Sequence, residues 1–222
     1  YDNWMYISKT KFGVGNNVDY ISLNETYTQY APFYSDYCKI IAITYATVYA
    51  ENGNVKRFFK KIANNEESIV IEQFFDILNQ LSSDGAQSNP QYFPTLCGYN
   101  ITSYDIPLLI KRFLVNRNFI SVENKKIPLI LKKTLDSKPW DSNVMDIINL
   151  FKFGSYDITT MQSIVDMLGL KKTVDLLPNN EISEYYWNNI NNNIEETLEY
   201  ITLQSANQTN TVIQLINELR QL

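Results

Sequence analysis

Residues 97–109 read Cys97-Gly98-Tyr99-Asn100-Ile101-Thr102-Ser103-Tyr104-Asp105-Ile106-Pro107-Leu108-Leu109. An apolar run from Phe93 to Cys97 leads into them and reads as the end of a strand. Pro107 then takes a first-turn helix position, which tolerates a missing N–H. The chain thus passes from strand to helix here, with Asn100 and Asp105 at the corner. A carboxylate at such a corner is placed for metal-dependent phosphoryl transfer. It is equally placed to cap the helix that follows.

Upstream of the corner, Lys39 to Ala50 (KIIAITYATVYA) is β-branched and aromatic and predicts a strand. Glu51-Asn52-Gly53-Asn54 signals a hairpin, with Val55 to Phe59 returning as the partner strand. Glu66 to Leu81 places Ile69, Ile71, Phe74, Phe75, Ile77, Leu78 and Leu81 at roughly helical spacing. Ser82 to Pro90 reads as a loop, Tyr92 to Cys97 as a strand, and Ile106 to Val115 as a helix. The first 36 residues are polar and Tyr-rich, with a short strand expected at Trp4 to Ser8 and a short helix at Asn24 to Tyr34.

Downstream, Asn116 to Ser137 reads as an irregular basic segment around a short apolar piece, Ile127 to Leu131. Val144 to Phe151 is apolar, and Trp140 and Phe151 are core candidates. Thr159 or Thr160 caps a helix that ends at Gly169. Leu170 to Asn180 is expected to be an exposed connector. Ile182 to Leu222 reads as helical, with breaks near 191–193 and 205–210. This order predicts an α/β fold: a mixed β-sheet flanked by helices, with a helical C-terminal part. Residues 1–222 are expected to form one domain, with an irregular segment at 1–36, a core at 37–170 and C-terminal helices at 171–222.

Composition narrows the chemistry. The chain has 222 residues, 45% of them hydrophobic, and no apolar run of the ~18 residues that a membrane span needs. A soluble, globular chain without a membrane role is expected, and no signal-peptide pattern is visible. There is no His, which removes Ser-His-Asp and Cys-His catalysis, His-ligated zinc and His general bases. Cys38 and Cys97 lie far apart in apolar contexts and read as reduced, buried thiols. Net charge is −5, so no global field attracts nucleic acid. Local basic groups occur at Lys56, Arg57, Lys60 and Lys61, at Lys125, Lys126, Lys132 and Lys133, and at Lys171 and Lys172; each reads first as a solvated face. The richness in Asn, Ile, Tyr and Lys points to an AT-rich genome, as in many phages and low-GC bacteria. The expected location is a bacterial cytoplasm or a virion.

Three stretches carry a resemblance. They are residues 27–49 (YTQYAPFYSDYCKIIAITYATVY), residues 97–114 (CGYNITSYDIPLLIKRFL) and residues 138–154 (KPWDSNVMDIINLFKFG). The second matches the pattern N-x3-[FY]-D-x-P-x-L at fixed spacing. Together they resemble the 3′–5′ exonuclease family related to the proofreading domain of family B DNA polymerases. The resemblance implies a ribonuclease-H-like α/β fold and cleavage of DNA from its 3′ end by two Mg²⁺ or Mn²⁺ ions. In that family four carboxylates in three motifs hold the metals, and a Tyr orients the attacking water. Two hard cations about 4 Å apart offset the charge on the attacking and leaving oxygens, and they take carboxylate oxygens as ligands.

The resemblance transfers unevenly. Asp105 matches the second-motif acid, Asn100 and Tyr104 match its neighbours, and Asp146 falls in the following stretch, so Asp105 and Asp146 are the metal-ligand candidates. The first motif, Asp-x-Glu, has no match in Met5-Tyr6-Ile7-Ser8-Lys9-Thr10; it is replaced, or it lies upstream of Tyr1. The third motif, Tyr-x3-Asp, aligns on Tyr200 with Gln204 at the acid position, or one turn later with Gln208. An amide offers a carbonyl oxygen but no charge to hold a dication. Three functions follow. The first is a catalytically degenerate exonuclease-like domain, a pseudoenzyme that binds nucleic acid or a protein. The second is an active, metal-dependent exonuclease truncated at its N-terminus. The third is a structural or interaction protein of a phage particle or replication complex. For the first, single-stranded DNA is the candidate ligand and a groove above Asn100 to Asp105 the candidate site, with Lys111, Arg112 and Lys152 on phosphates.

Overall fold

The computed structural model describes residues 26–27, 30–31, 34–51, 54–86, 92–138, 143–152, 160–171 and 181–219. The expected strand at Trp4 to Ser8, most of the helix at Asn24 to Tyr34, Trp140 and most of the connector at 172–180 lie outside them. The fold is mixed α/β, with two small sheets.

The hairpin forms where the Asn52-Gly53 signal predicts it. β1 (Ala42–Glu51) pairs antiparallel with β2 (Asn54–Ala63), Glu51 opposite Asn54. β2 runs past the expected end at Phe59 because Lys60 to Ala63 keep pairing with Tyr45 to Ala42. One face of the hairpin meets helix α1 (Glu67–Ala86): Tyr45 sets its ring edge-on to Phe74. The opposite face meets α7 (Ile194–Leu219), where the Thr44 hydroxyl lies 2.7 Å from those of Ser205 and Thr209.

The corner stretch contributes β3 (Leu96–Gly98) and α2 (Asp105–Asn116). β3 is shorter than the Tyr92 to Cys97 strand expected. It pairs in parallel with β4 (Val144–Asp146), Gly98 opposite Asp146. Among the described residues the two pairs are separate two-stranded sheets, and the single mixed sheet expected from sequence is not formed by them.

Three departures from the periodicity reading have identifiable causes. α1 extends to Ala86, into the segment read as a loop, whose remainder at 87–90 lies outside the described residues; the Ser82 and Ser83 hydroxyls donate back to the carbonyls of Leu78 and Asn79. The segment read as irregular holds a 3₁₀ turn (Asn124–Lys126) and α3 (Ile127–Leu135), with Pro128 tolerated in the first turn. α7 runs unbroken through 205–210, because the hydroxyls there bond to β1 and back along the helix. The break near 191–193 is present, between α6 (Ile182–Asn189) and α7. α4 (Ile147–Lys152) follows β4 directly. α5 (Met161–Met167) is capped by Thr160, whose side chain accepts from the Ser163 N–H, and Gly169 ends it at φ +63.

Two apolar clusters lie on either side of the parallel pair. Leu96 and Val144 join the core built from Ile71, Phe75 and Leu78 of α1, Ile106, Leu109 and Phe113 of α2, and Ile127 and Leu131 of α3. Cys97 turns the other way, toward Ile147, Ile164, Val165 and Leu215. That alternation is the period-two signature of a strand with helices on both faces. A third cluster joins Tyr186 and Ile190 to Ile201 and the start of β1.

Candidate functional site

The corner sits at the C-terminal ends of β3 and β4, where open α/β sheets commonly bind ligands. Gly98 lets the turn pack closely: a Cβ would lie 3.0 Å from the Ile101 side chain, which would have to shift to admit it. Asn100 then adopts φ 60, a left-handed conformation that Asn tolerates better than most residues. Its carbonyl accepts from the N–H groups of Ser103 and Tyr104, which closes the turn into α2.

Asp146 holds this turn in place. One carboxylate oxygen accepts from the Asn100 N–H at 2.8 Å and the Ile148 N–H at 3.3 Å. The other accepts from the Thr102 N–H at 3.0 Å and the Thr102 hydroxyl at 2.5 Å. The residue is 6% exposed. Both oxygens are thus engaged by the 100–102 turn, which leaves Asp146 poorly placed as the metal ligand that the resemblance suggested. It is an organiser of the loop.

Asp105 is the first residue of α2, not its cap. The cap position is Tyr104, and no side chain caps the helix there. Asp105 is exposed, yet burial pushes its carboxyl up from 3.8 to about 6, its own N–H opposes the rise, and the charge of Asp146 adds to it. Solvent reaches part of the residue while the surrounding protein desolvates its carboxyl. The corner therefore brings Asp105 and Asp146 near one another. Tyr104 beside them is half-buried, and its phenol is pushed up to about 12 by burial, then by Cys38 and Asp105.

The raised carboxyl gives a pH prediction. Folded Asp105 binds its proton more tightly than the unfolded chain does, so it costs stability as pH climbs from 3.8 to about 6. Asp105→Asn should therefore melt higher than wild type above about pH 6, with the advantage gone below about pH 3.8. Thermal melts across that range check this, and equal shifts at all pH values would contradict it.

The other candidates are distributed differently from expectation. Arg112 faces inward. Its Nε and Nη2 donate to Glu67 at 2.8 and 2.6 Å, and the two side chains are 12% and 6% exposed. Its guanidinium is committed to that pair and is not offered to a phosphate. Lys111 is exposed on α2, and Lys152 is half-exposed at the end of α4. Phe151, beside Lys152, packs in the same cluster as Cys97 and Tyr99.

Tyr200 is not brought to the corner. It packs on Tyr185 of α6, ring centroids 4.5 Å apart. The stretch of α7 that meets Cys97 and Tyr99 is Val212 to Ile216, about 18 Å further along the helix axis. Gln204 is 2% exposed, a buried amide. Cys38 and Cys97 are reduced thiols, half-buried rather than fully buried.

No protein-family model, curated protein or solved structure matches the chain. The corner's chemistry must therefore be judged from its own donors. Among the described residues no group of three or more Cys, Asp or Glu side chains converges as a metal site would. With Asp146 engaged in the turn, the donors among the described residues do not fit a two-metal centre. No helix of the described residues is long and apolar enough to cross a membrane.

Sequence reading missed the two side chains that shape the site. Glu67 signalled only as an acid in the first turn of a helix, a position favoured by the helix dipole. Thr102 carried no signal; its role depends on Asp146, 44 residues away.

Proposed function

We propose that the chain is an exonuclease-like domain that binds single-stranded DNA at the Asn100–Asp105 corner without cleaving it. The observation that carries the reading is the state of its two corner acids. Asp146 directs both oxygens into the loop, and Asp105 beside it has its pKa raised to about 6, with no third acid converging on them among the described residues. Such a pair keeps the corner's shape and loses its grip on dications. The ribonuclease-H-like architecture belongs to the same proposal. An antiparallel hairpin, a helix, and then a parallel pair with helices on both faces support it.

Lys111 and Lys152 are the phosphate contacts of this reading. Binding of a fluorescent oligothymidylate should weaken steeply with salt. Replacing both lysines by alanine should flatten the log–log salt slope by about 0.7 per lost contact. With Mn²⁺ the oligonucleotide should stay intact. Shortening from the 3′ end that Asp105→Ala abolishes would establish an active exonuclease instead. Absence of any binding at low salt would favour the protein-interaction role in a phage particle or replication complex.

A further inference from the structure

The β1–β2 hairpin carries a second surface that the corner does not explain. Lys56, Arg57, Phe58, Phe59, Lys60 and Lys61 occupy consecutive positions of β2, and all six are exposed. No acidic residue occurs from Asn54 through Asn65, although the whole chain carries −5. Phe58 and Phe59 are 49% and 40% exposed.

Strand alternation sorts these side chains onto two faces. Arg57, Phe59 and Lys61 share the face of Thr44, which meets α7; Arg57 donates to Asn217 there at 2.7 Å. Lys56, Phe58 and Lys60 share the other face with Tyr49, Thr47 and Tyr45. Near the base, that face is covered by α1 through the Tyr45–Phe74 contact. Nearer the tip it is open: Tyr49 is 44% and Phe58 49% exposed. Their rings stack nearly parallel, 7° between planes and 5.6 Å between centroids. Lys56 and Lys60 flank Phe58 on this face, about 13 Å apart along the strand.

The geometry points to this face of the hairpin as a binding surface for a single strand of nucleic acid, with bases on the Tyr49–Phe58 platform and phosphates on Lys56 and Lys60. Each part of the surface asks for that partner. Unpaired bases present π faces that rings can stack on, and a duplex hides them. The cations match a phosphate backbone. An acidic polypeptide would match the charge of the lysines but make no use of the open ring faces. The surface shares no residue with the corner, and its assignment does not depend on the corner's function.

The test uses the whole chain and a fluorescent oligothymidylate, followed by anisotropy at several salt concentrations. Tyr49→Thr with Phe58→Thr keeps β-forming residues in both strands while removing the platform. It should weaken binding at least about tenfold with a lesser change in salt slope, the signature of lost stacking. Lys60→Thr should flatten the slope by about 0.7. Circular dichroism melts show whether each variant keeps its fold. Where the double variant melts early, Phe58→Tyr, which keeps a ring, must retain wild-type affinity while Phe58→Thr loses it.

Several results would overturn the assignment. One is unchanged affinity in a folded double variant. Another is polyglutamate competing as well as DNA. A third is aggregation of Lys60→Thr with unaltered DNA binding, which would mark the lysines as guards of an open edge strand. The last is a chain that binds no oligothymidylate, which would remove both this surface and the corner reading. Loss through Lys111 and Lys152 alone would remove the hairpin surface only. Loss through the hairpin alone would remove the corner and leave the hairpin.

Discussion

Arg112→Met is expected to lower stability by about 3–5 kcal/mol, because it strands the buried Glu67 carboxylate without its cation. Glu67 accepts from Arg112 Nε and Nη2, from the Ile40 N–H at 2.7 Å and from Asn116 Nδ2 at 2.8 Å. Burial drives its pKa upward. The hydrogen bonds from Arg112, Ile40 and Asn116, with the Arg112 charge, outweigh it, and the net shift is downward. The pair joins α1 to α2 and ties both to the chain entering β1, so its loss loosens three segments together. For a chain of this size the cost corresponds to a melting point lower by roughly 6–20 °C. Adding Glu67→Leu to Arg112→Met should restore much of the loss, since replacing both partners leaves no uncompensated charge. The pH dependence has a fixed sign. A depressed carboxylate contributes its stability above its unfolded pKa, near 4.5, and loses it as pH falls through the lower folded value. The acid limb of wild-type unfolding should therefore shrink in the double variant. Urea melts at neutral pH decide the matter. A single-variant cost under about 1 kcal/mol would place the pair with ordinary surface salt bridges.

Asp146→Ala is the second large effect, on the order of 3 kcal/mol, because it removes a charged acceptor from several inward donors. The damage should be local in kind. Amide hydrogens of Asn100 and Thr102 should exchange faster before the rest of the core does. Asp146→Asn is the sharper probe. It preserves size but removes the charge that helps to raise Asp105, so the Asp105 pKa should fall from about 6. Carboxyl-carbon NMR reads that shift directly. An unchanged Asp105 titration would mean that the two acids do not share a site.

Much of the corner could be read from residues alone. Pro107 and the apolar run before Gly98 announced a strand-to-helix passage, and α2 begins one residue before the predicted Ile106. The hairpin was announced by Asn52-Gly53 between β-branched runs, and α5 by Thr160 and Gly169. These signals are local: a turn, a cap or a proline constrains dihedral angles whatever surrounds it. The misses were non-local. Residues 116–137 looked irregular because one short apolar piece, Ile127 to Leu131, stood out in a basic segment. The segment is pinned by Asn124, buried and bonded to Asp76 and Asn79 of α1. The break expected at 205–210 followed from its polar residues, but Ser205 and Thr209 are occupied by Thr44 of β1.

The same division runs through the site. Residue types alone excluded histidine chemistry and placed an acid at a strand-to-helix corner, because composition and local geometry need no partner. Which charges remain available was settled by packing. Asp146, Arg112 and Lys111 are indistinguishable in kind from other charged residues along the chain. The fold turns Asp146 into a loop and Arg112 onto Glu67, while it leaves Lys111 in solvent. A charge's role depends on what desolvates it and what bonds to it, and those neighbours lie tens of residues away in the chain.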